Sequence, residues 1–415
     1  MRLWGDKKMQ LATGFTALQD RSLRVGYIGL LLSSIATAAV TPYQPVIAVD
    51  LLGFSETEFS TITFTSAIVS LIVALLVGMV SDSGVDRFRL IAHACMAGAI
   101  GSAMVYLFPE RFSFIFSIVL LMPLAATVAQ QSYAVLRARS NELSSETANA
   151  INALARLMFA SSWIIMPPAV ALLLWSGCEM LSIYLISGLS GVVSALLFYG
   201  ASWRLRPSYK KNEAQANAVL ARTTGLLASP RIQLKVVCNS VLRAVMVLHQ
   251  MLIGLFLIHV VNGSSASVGI AAGITAALEL PFILIWTAIL RYISKASAIF
   301  LGSVLYAFYL FALPLASTEY HVYWLSPLNA IGVACLLSIT ISYMQDIMTD
   351  MPGLSTALNS VCGVVGAGMA AVVFAMGVGY FGYRGTAILA GTLSIIAGTG
   401  ILMLERSFAR VVQSE

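Results

Sequence analysis

Charged residues are scarce in this sequence: 10% of its 415 residues are charged, against about 25% in a soluble chain. Hydrophobic residues make up 59%, and the mean hydropathy is +0.88. The five cysteines stand singly in apolar runs, without a CxxC pair or a Cys/His cluster, which argues against disulfides and metal sites. No nucleotide-binding loop or nucleophile elbow is present either. We therefore expect one polytopic membrane protein with no enzymatic activity, no cofactor and no metal.

Long apolar runs fill most of the chain. A helix needs about 20 apolar residues to cross about 30 Å of hydrocarbon, and a helix satisfies its own backbone polar groups there. Twelve segments are long enough, and we number them as spans 1 to 12. They are residues 25–49, 59–80, 90–108, 112–136, 147–174, 178–203, 232–261, 267–290, 296–316, 322–346, 355–379 and 384–404. The pattern predicts an all-α transmembrane protein.

One long polar stretch, residues 204–231, divides the spans into two groups of six. The spacing of the spans is similar in both groups. We predict five parts: a tail 1–24, a six-helix bundle 25–203, a linker 204–231, a second six-helix bundle 232–404 and a tail 405–415. Two parallel six-span halves joined in this way resemble the layout of major facilitator transporters, whose two bundles are related by pseudo-two-fold symmetry.

Lys and Arg residues lie mostly on one side of the predicted spans. With twelve spans and both termini on the same side, twenty of the 24 Lys and Arg residues fall on that side. The opposite side has only Arg111 and Arg384. Because positive residues accumulate in cytoplasmic loops, we expect the linker and both tails to be cytoplasmic. This location of the positive charge argues against a nucleic acid partner.

The loop between spans 2 and 3 carries acidic and basic residues in a particular order. It reads Gly78-Met-Val-Ser81-Asp82-Ser-Gly-Val-Asp86-Arg87-Phe-Arg89. A carboxylate at a helix end can pair with an arginine and with the N-terminus of the neighbouring helix, and such a contact can hold one conformation. An ordinary positively charged loop is the alternative. The order resembles the signature loop of the major facilitator superfamily, which implies a conformational latch that includes Asp82, Asp86 and Arg87.

Five motifs together resemble the sugar efflux transporter family within that superfamily. They are Ser81-Asp82 with Asp86-Arg87, Thr41-Pro42, Arg156 with Trp163 and Pro167-Pro168, Leu278-Glu279-Leu280-Pro281, and Ser342-Tyr343-Met344-Gln345-Asp346. They occur in this family's order along most of the chain, and Thr41-Pro42 is expected to break span 1. The resemblance implies alternating access and sugar export in exchange for protons across a bacterial inner (plasma) membrane. We include Gln345 and Asp346 in the predicted latch.

Polar side chains recur at helical spacing inside several spans. Such stripes point away from lipid and either line a cavity or join helices. We predict a substrate site formed by Gln44, Gln130, Asn152, Arg156, Trp163, Asn239, Gln250 and Asn359. Amides and arginine suit a polyhydroxylated ligand because its hydroxyls need donors and acceptors, and an indole can stack on a sugar ring. Trp286 is a second candidate for stacking, and packing, the more frequent role of a tryptophan, is the alternative for both.

Three charged residues, Arg156, Arg243 and Glu279, lie near the middle of their spans. Each costs about 2.5–3.5 kcal/mol on insertion scales, so such residues are normally functional and shielded from lipid. Arg243 and Glu279 are on consecutive spans, and we expect them to pair. A carboxyl group that alternates between a cation and an apolar setting can bind and release a proton. We predict proton coupling through Glu279 and Arg243; a permanent structural ion pair is the alternative.

Isolated histidines and glycines complete the set of candidates. His93, His249 and His259 are expected to be hydrogen-bonded packing residues rather than proton relays, and His249, beside Gln250, is the best candidate for an exception. The glycines of span 11 are expected to permit close helix approach; they are Gly363, Gly366 and Gly368.

Three functions remain open at this point. The first is a proton-coupled antiporter that exports sugars or related small polar metabolites and acts as a monomer in the lipid bilayer. The second is an exporter of amphiphilic drugs or organic anions, because two membrane arginines against one carboxylate leave a positive excess. The third is a non-transporting membrane scaffold or sensor, but a scaffold does not need charges at mid-membrane on several helices.

Overall fold

The computed structural model describes residues 19–82, 85–140, 143–203, 229–346 and 352–412. These residues form helices joined by short turns, with no β-strand among them. Within these described ranges, eleven helices are long and apolar enough to cross a membrane. We label their main α-helical segments α1 Arg21–Val40, α2 Glu56–Asp82, α3 Arg87–Leu107, α4 Met122–Ser140, α5 Ser145–Trp175, α6 Ser182–Ser202, α7 Pro230–His259, α8 Ser265–Ile289, α9 Lys295–Ala312, α10 Glu319–Asp346 and α11 Pro352–Val412. Two shorter helical segments, Arg111–Phe116 and Ser117–Leu121, lead into α4 and complete its span, Arg111–Ser140. The predicted all-α class is confirmed.

The predicted spans 11 and 12 lie within one element, α11. Its apolar part, Val361–Arg406, contains 46 residues. At 1.5 Å per residue this is about 69 Å, more than twice the thickness of the hydrocarbon layer. The backbone is non-helical at Gly382, with φ 63° and ψ −177°, a conformation that is open to glycine because it has no Cβ. Two helices therefore meet at Gly382, and the count of twelve crossings stays a prediction.

Span 1 breaks at Thr41-Pro42, as predicted. Helix α1 ends at Val40, and a short helix, Gln44–Val46, follows after a three-residue turn. A π-helical turn, Ile47–Leu51, completes the predicted span. Proline lacks the backbone N–H that would continue the helix.

The chain folds into two compact units. Unit 1 comprises Met1–Ile47 and Ile72–Lys210, and unit 2 comprises Ala48–Leu71 and Lys211–Glu415. This division differs from the predicted bundles because residues 48–71 pack with unit 2, for example through an edge-on contact between Phe59 and Phe374 at 6.5 Å. Most of the predicted linker and parts of both tails lie outside the described residues. The predicted domain boundaries therefore stay a prediction.

Unit 1 packs around α1. One apolar cluster joins α1 to α4 and α5; its buried members are Leu23, Tyr27, Leu30, Leu136, Ile151, Leu154 and Ala155. A second cluster joins α1, α3, α4 and α6, with Phe88 and Phe198 stacked at a centroid distance of 6.2 Å. Ser34 Oγ donates a hydrogen bond to the carbonyl oxygen of Phe159 at 2.8 Å, which ties α1 to α5. These contacts fix which face of α5 is turned away from the core.

Unit 2 contains close helix contacts at glycine. A Cβ atom on Gly366 of α11 would lie 2.7 Å from Cβ of Arg243 on α7. A Cβ atom on Gly368 would lie 2.9 Å from the ring of Phe64. The prediction that span-11 glycines permit close approach is confirmed at these two positions. It is wrong for Gly363, where no atom of another described element lies within 4 Å of the corresponding point.

The variant Gly366→Ala tests the packing of α7 on α11. Its methyl group would meet Cβ of Arg243 at 2.7 Å and the backbone oxygen of Ser240 at 2.9 Å, so one helix has to move. Overpacking of this kind costs about 1–3 kcal/mol, and we expect a lower Tm in a thermal unfolding assay in detergent. Gly363→Ala is the matched control, because open space and better helix propensity, worth about 0.5–1 kcal/mol, should keep or raise the Tm. Equal Tm values for both variants would contradict this packing.

Candidate functional site

Asn152 and Arg156 are exposed on one side of α5. The neighbouring side is buried against α1, and Tyr27 Oη donates a hydrogen bond to the carbonyl oxygen of Ile151 at 3.2 Å. This contact fixes the rotation of α5, so the predicted polar stripe lies outside the apolar core. Neither side chain forms a hydrogen bond or an ion pair within the described ranges. Arg156 lies within electrostatic range of Tyr133 on α4.

Three other predicted site residues of unit 1 are also accessible. Gln130 is exposed on α4, Trp163 is half-buried on α5, and Gln44 is half-buried in the short helix after the break in span 1. None of the three side chains forms a hydrogen bond to the part of the chain that the structure describes. Their donors and acceptors are therefore not used in packing.

The expected ion pair between Arg243 and Glu279 is not seen among the described residues. Arg243 lies on the side of α7 that packs against α11, next to Gly366 and within electrostatic range of Cys362. Glu279, on α8, lies within electrostatic range of Tyr306 on α9. Its carboxylate has no hydrogen bond or ion pair with any described residue. Consecutive spans place the two residues on neighbouring elements, but the rotation of α7 directs Arg243 toward α11.

An aromatic cluster surrounds His249 of α7. His249 Nε2 shares a hydrogen bond with Tyr309 Oη at 2.8 Å. The imidazole packs edge-on against Tyr306 and Tyr309, with centroid distances of 6.0 and 5.2 Å. The Tyr306 hydroxyl is buried and has no hydrogen-bond partner in the described ranges. With Glu279, this cluster brings four groups able to carry a proton to α7, α8 and α9. The sequence interpretation missed both tyrosines, whose i, i+3 spacing on span 9 was the available signal.

The remaining candidate site residues of unit 2 differ from one another in burial. Asn239 is fully buried, and neither atom of its amide has a hydrogen-bond partner among the described residues. Gln250 is exposed, whereas the side chain of Asn359 lies outside what the structure describes. Trp286 is 1% exposed, and its Nε1 donates to the carbonyl oxygen of Ile331 at 2.9 Å. Trp286 is thus a core residue, and its prediction as a stacking platform is wrong.

The loop between α2 and α3 ties three helices together. The Asp86 carboxylate caps α3 by accepting from the backbone N–H groups two and three positions later, at 3.0 and 3.4 Å. Arg87 Nε donates to Ser81 Oγ at 2.9 Å, and Ser81 Oγ donates to Gln131 Oε1 on α4 at 3.1 Å. The side chain of Asp82 lies outside the described residues. The predicted latch therefore has a helix cap and an arginine contact, while its release stays a prediction.

The corresponding end of unit 2 contains two ion pairs. Asp346, at the end of α10, lies 2.6 Å from Nζ of Lys295 at the start of α9. Its neighbour Gln345 is exposed. A second pair, not predicted, joins Lys235 of α7 to Glu405 of α11 at 2.5 Å. Both pairs connect helix ends, which is where a latch would act.

Hydrogen-bond partners are present for two of the three histidines, in agreement with the expectation of hydrogen-bonded packing residues. His249 contacts Tyr309 as described, and His259 Nε2 lies 2.8 Å from Asp50 Oδ1. His93 is exposed and packs edge-on against Tyr199 at 5.5 Å, without a hydrogen bond to any described residue. Among the residues described, no group of three or more His, Cys, Asp or Glu side chains is placed to hold a metal ion.

Comparisons with known proteins agree with the family resemblance that the motifs indicate. Residues 26–371 match the family model of the Major Facilitator Superfamily. Sugar efflux transporter C of Escherichia coli is 27% identical over 332 residues, which cover 79% of this chain and 82% of that protein. Sugar efflux transporter B of Salmonella typhimurium is 25% identical over 340 residues, which cover 79% and 81%. The predicted family resemblance is confirmed.

Two solved structures of other transporters have a fold similar to that of this chain. A crystal structure of a mutant of the nucleoside transporter NupG has a TM-score of 0.77 at 13% identity, covering 93% of this chain and 100% of the other. The POT family transporter PepTSo has a TM-score of 0.75 at 10% identity, covering 94% and 98%. At these identities the likeness concerns the fold alone.

Proposed function

The chain belongs to the major facilitator superfamily of membrane transporters, and from that premise we propose that it exports sugars or related small polar metabolites in exchange for protons. The observation that carries this proposal is the Glu279 carboxylate, which has no ionic partner among the described residues. A charged carboxylate inside a membrane span without a cation beside it is costly, so such residues are normally functional. A second environment, such as a cation or water reached in another conformation, would let it release the proton.

The His249 cluster supports proton coupling at this position. Tyr306 lies within electrostatic range of Glu279, and Tyr309 shares a hydrogen bond with His249 at 2.8 Å. Hydroxyl and imidazole groups can accept and donate protons in turn. The cluster therefore offers Glu279 polar neighbours inside an otherwise apolar helix bundle. Arg243, which precedes His249 by six residues on α7, is the cation that Glu279 would reach in a second conformation.

The accessible polar side chains of unit 1 support a polyhydroxylated substrate. An arginine and three amides supply donors and acceptors, and Trp163 supplies an aromatic face. The amides are Gln44, Gln130 and Asn152. We propose that Asn239, Gln250 and Asn359 also contact the substrate. The names of the bacterial relatives, both sugar efflux transporters, support the same substrate class.

We propose alternating access by two six-helix bundles with twelve crossings, counting α11 as two. The positive residues support a cytoplasmic location for both termini and the linker, in the inner membrane of a bacterium. Asp82, Asp86, Arg87, Gln345 and Asp346 would form the latch that changes between conformations. The transporter would act as a monomer in the bilayer.

Transport in inverted membrane vesicles tests this function. A proton gradient is imposed, and accumulation of radiolabelled sugars, organic acids and cationic dyes is measured in parallel, with protein-free vesicles as the control. We expect sugar accumulation that is lost when a protonophore collapses the gradient. Accumulation that ignores the gradient would contradict proton coupling, and the absence of any transported compound would contradict the function.

Export of organic anions is the second candidate. It is favoured by Arg156, which is exposed and forms no ion pair with another described residue. An anionic ligand would neutralise this charge. Gradient-dependent accumulation of organic acids, without sugars, in the same vesicles would select this function.

A further inference from the structure

Residues 48–71 contact α7 and α11 through two carboxylates. Asp50 Oδ1 lies 2.8 Å from Nε2 of His259, the last residue of α7. Tyr383 Oη donates a hydrogen bond to Glu56 Oε1 at 2.8 Å. The rings of His259 and Tyr383 stack, with centroids 5.8 Å apart and planes within 6° of parallel. We call this continuous set, Asp50, His259, Tyr383 and Glu56, the His259 clamp.

Local structure brings the four side chains of the clamp together. Asp50 belongs to the π-helical turn Ile47–Leu51, and Glu56 is the first residue of α2. Tyr383 directly follows Gly382, where the chain leaves helical geometry. The clamp is therefore assembled at helix ends and turns, where a small change in backbone direction separates the side chains.

Apolar residues of the segment 48–71 also contact α11, but their side chains carry no titratable group. We call the contact of residues 48–71 with α7 and α11 the junction. Phe59 packs edge-on against Phe374 at 6.5 Å, and Phe64 lies against Gly368. The titratable groups that face His259 are Asp50 and Tyr383, and Glu56 lies beyond Tyr383. Any dependence of this junction on pH in the neutral range therefore centres on the imidazole.

We propose that His259 is a second proton-binding site of this protein and that its protonation holds residues 48–71 against α7 and α11. Histidine is the side chain whose ordinary pKa lies between pH 5 and 8, and carboxylates stay ionised throughout that range. With a protonated ring the contact with Asp50 is an ion pair. With a neutral ring it is only a hydrogen bond, so loss of the proton weakens the contact.

Solvent limits the size of this effect. The His259 and Asp50 side chains are 40% and 26% exposed. Ion pairs of this kind shift an equilibrium by about 1.5- to fivefold. The clamp therefore favours the state in which residues 48–71 contact α7 and α11, but it does not prevent their separation.

The clamp shares no residue with Glu279, Arg156 or the His249 cluster. Its pH response therefore does not depend on which compound is transported or on whether transport is coupled to protons. In the predicted topology the clamp lies on the side opposite the basic loops, where an acidic medium would favour the held state.

Distance measurement by pulsed electron spin resonance tests the clamp in the purified full-length protein in lipid nanodiscs. Spin labels at Thr57→Cys and Tyr380→Cys, both exposed positions, report the separation of residues 48–71 from α11. Cys178→Ser removes the exposed native thiol, and the other four cysteines are buried. Between pH 8 and pH 5.5 we expect the ratio of short to long distances to rise about 1.5- to fivefold. With His259→Gln, which cannot gain a charge, this rise should disappear.

Two further variants separate the clamp from a general effect of pH. Asp50→Asn keeps an acceptor oxygen without the charge and should reproduce the result of His259→Gln. His321→Gln is the matched control, because His321 Nδ1 contacts only the adjacent Ser317 among the described residues; it should keep the wild-type response. A response that persists in both clamp variants, or a wild-type ratio that does not change with pH, would overturn the proposal.

Discussion

Glu279→Gln is expected to reduce gradient-driven sugar accumulation in inverted vesicles to the level of protein-free vesicles. Glutamine has nearly the same shape as the protonated carboxyl group but cannot release a proton. Binding of sugar to the purified variant, measured by calorimetry, should stay within about threefold of wild type, a change below about 0.7 kcal/mol. The variant should therefore separate binding from coupling.

The matched control for this variant is Glu110→Gln, the same change at an exposed loop position before the segment that leads into α4. It should leave accumulation unchanged. If Glu279→Gln retains wild-type accumulation with wild-type pH dependence, the carboxyl group is structural and does not couple transport to protons. The structure argues against a permanent ion pair at Glu279, because no described cation or hydrogen-bond donor contacts its carboxylate.

The membrane-spanning segments were predictable because the lipid imposes a length and a composition on each of them. The break at Thr41-Pro42 was predictable for the same kind of reason, since proline acts on its own backbone. The junction at Gly382 falls in the predicted gap between spans 11 and 12, residues 380–383. The length of the apolar sequence required two helices there, and the backbone angles show which residue leaves helical geometry.

Contacts between distant parts of the chain were not predictable from periodicity. A helical repeat shows which residues share a face, but it does not show which helix that face meets. Arg243 illustrates this, because its face meets α11 rather than Glu279 on α8. The contact between Asp50 and His259 joins residues 209 positions apart. In the sequence, both Asp50 and His259 look like isolated polar residues at the end of a span.

Arg156→Ala is expected to weaken sugar binding by about tenfold to a hundredfold. A hydrogen bond to a charged group contributes about 1.5–3 kcal/mol, and each 1.4 kcal/mol is a factor of ten in Kd. The fold should survive, because Arg156 is exposed while the adjacent Ile151 and Leu154 hold α5 in the core. Calorimetric titration with sugar measures the loss. Arg291→Ala, at an exposed loop arginine, is the control and should bind as wild type does.

Arg156→Lys distinguishes a sugar ligand from an anionic one. Lysine keeps the positive charge but loses the planar, forked set of donors that guanidinium offers. For a neutral polyhydroxylated ligand, the charge adds little and the geometry of the donors decides the affinity. The lysine variant should therefore lose nearly as much sugar affinity as the alanine variant. For an organic anion, the charge itself carries the attraction, and lysine should retain most of the affinity that alanine loses. Unchanged affinity in both variants would instead assign Arg156 to packing and remove it from the site.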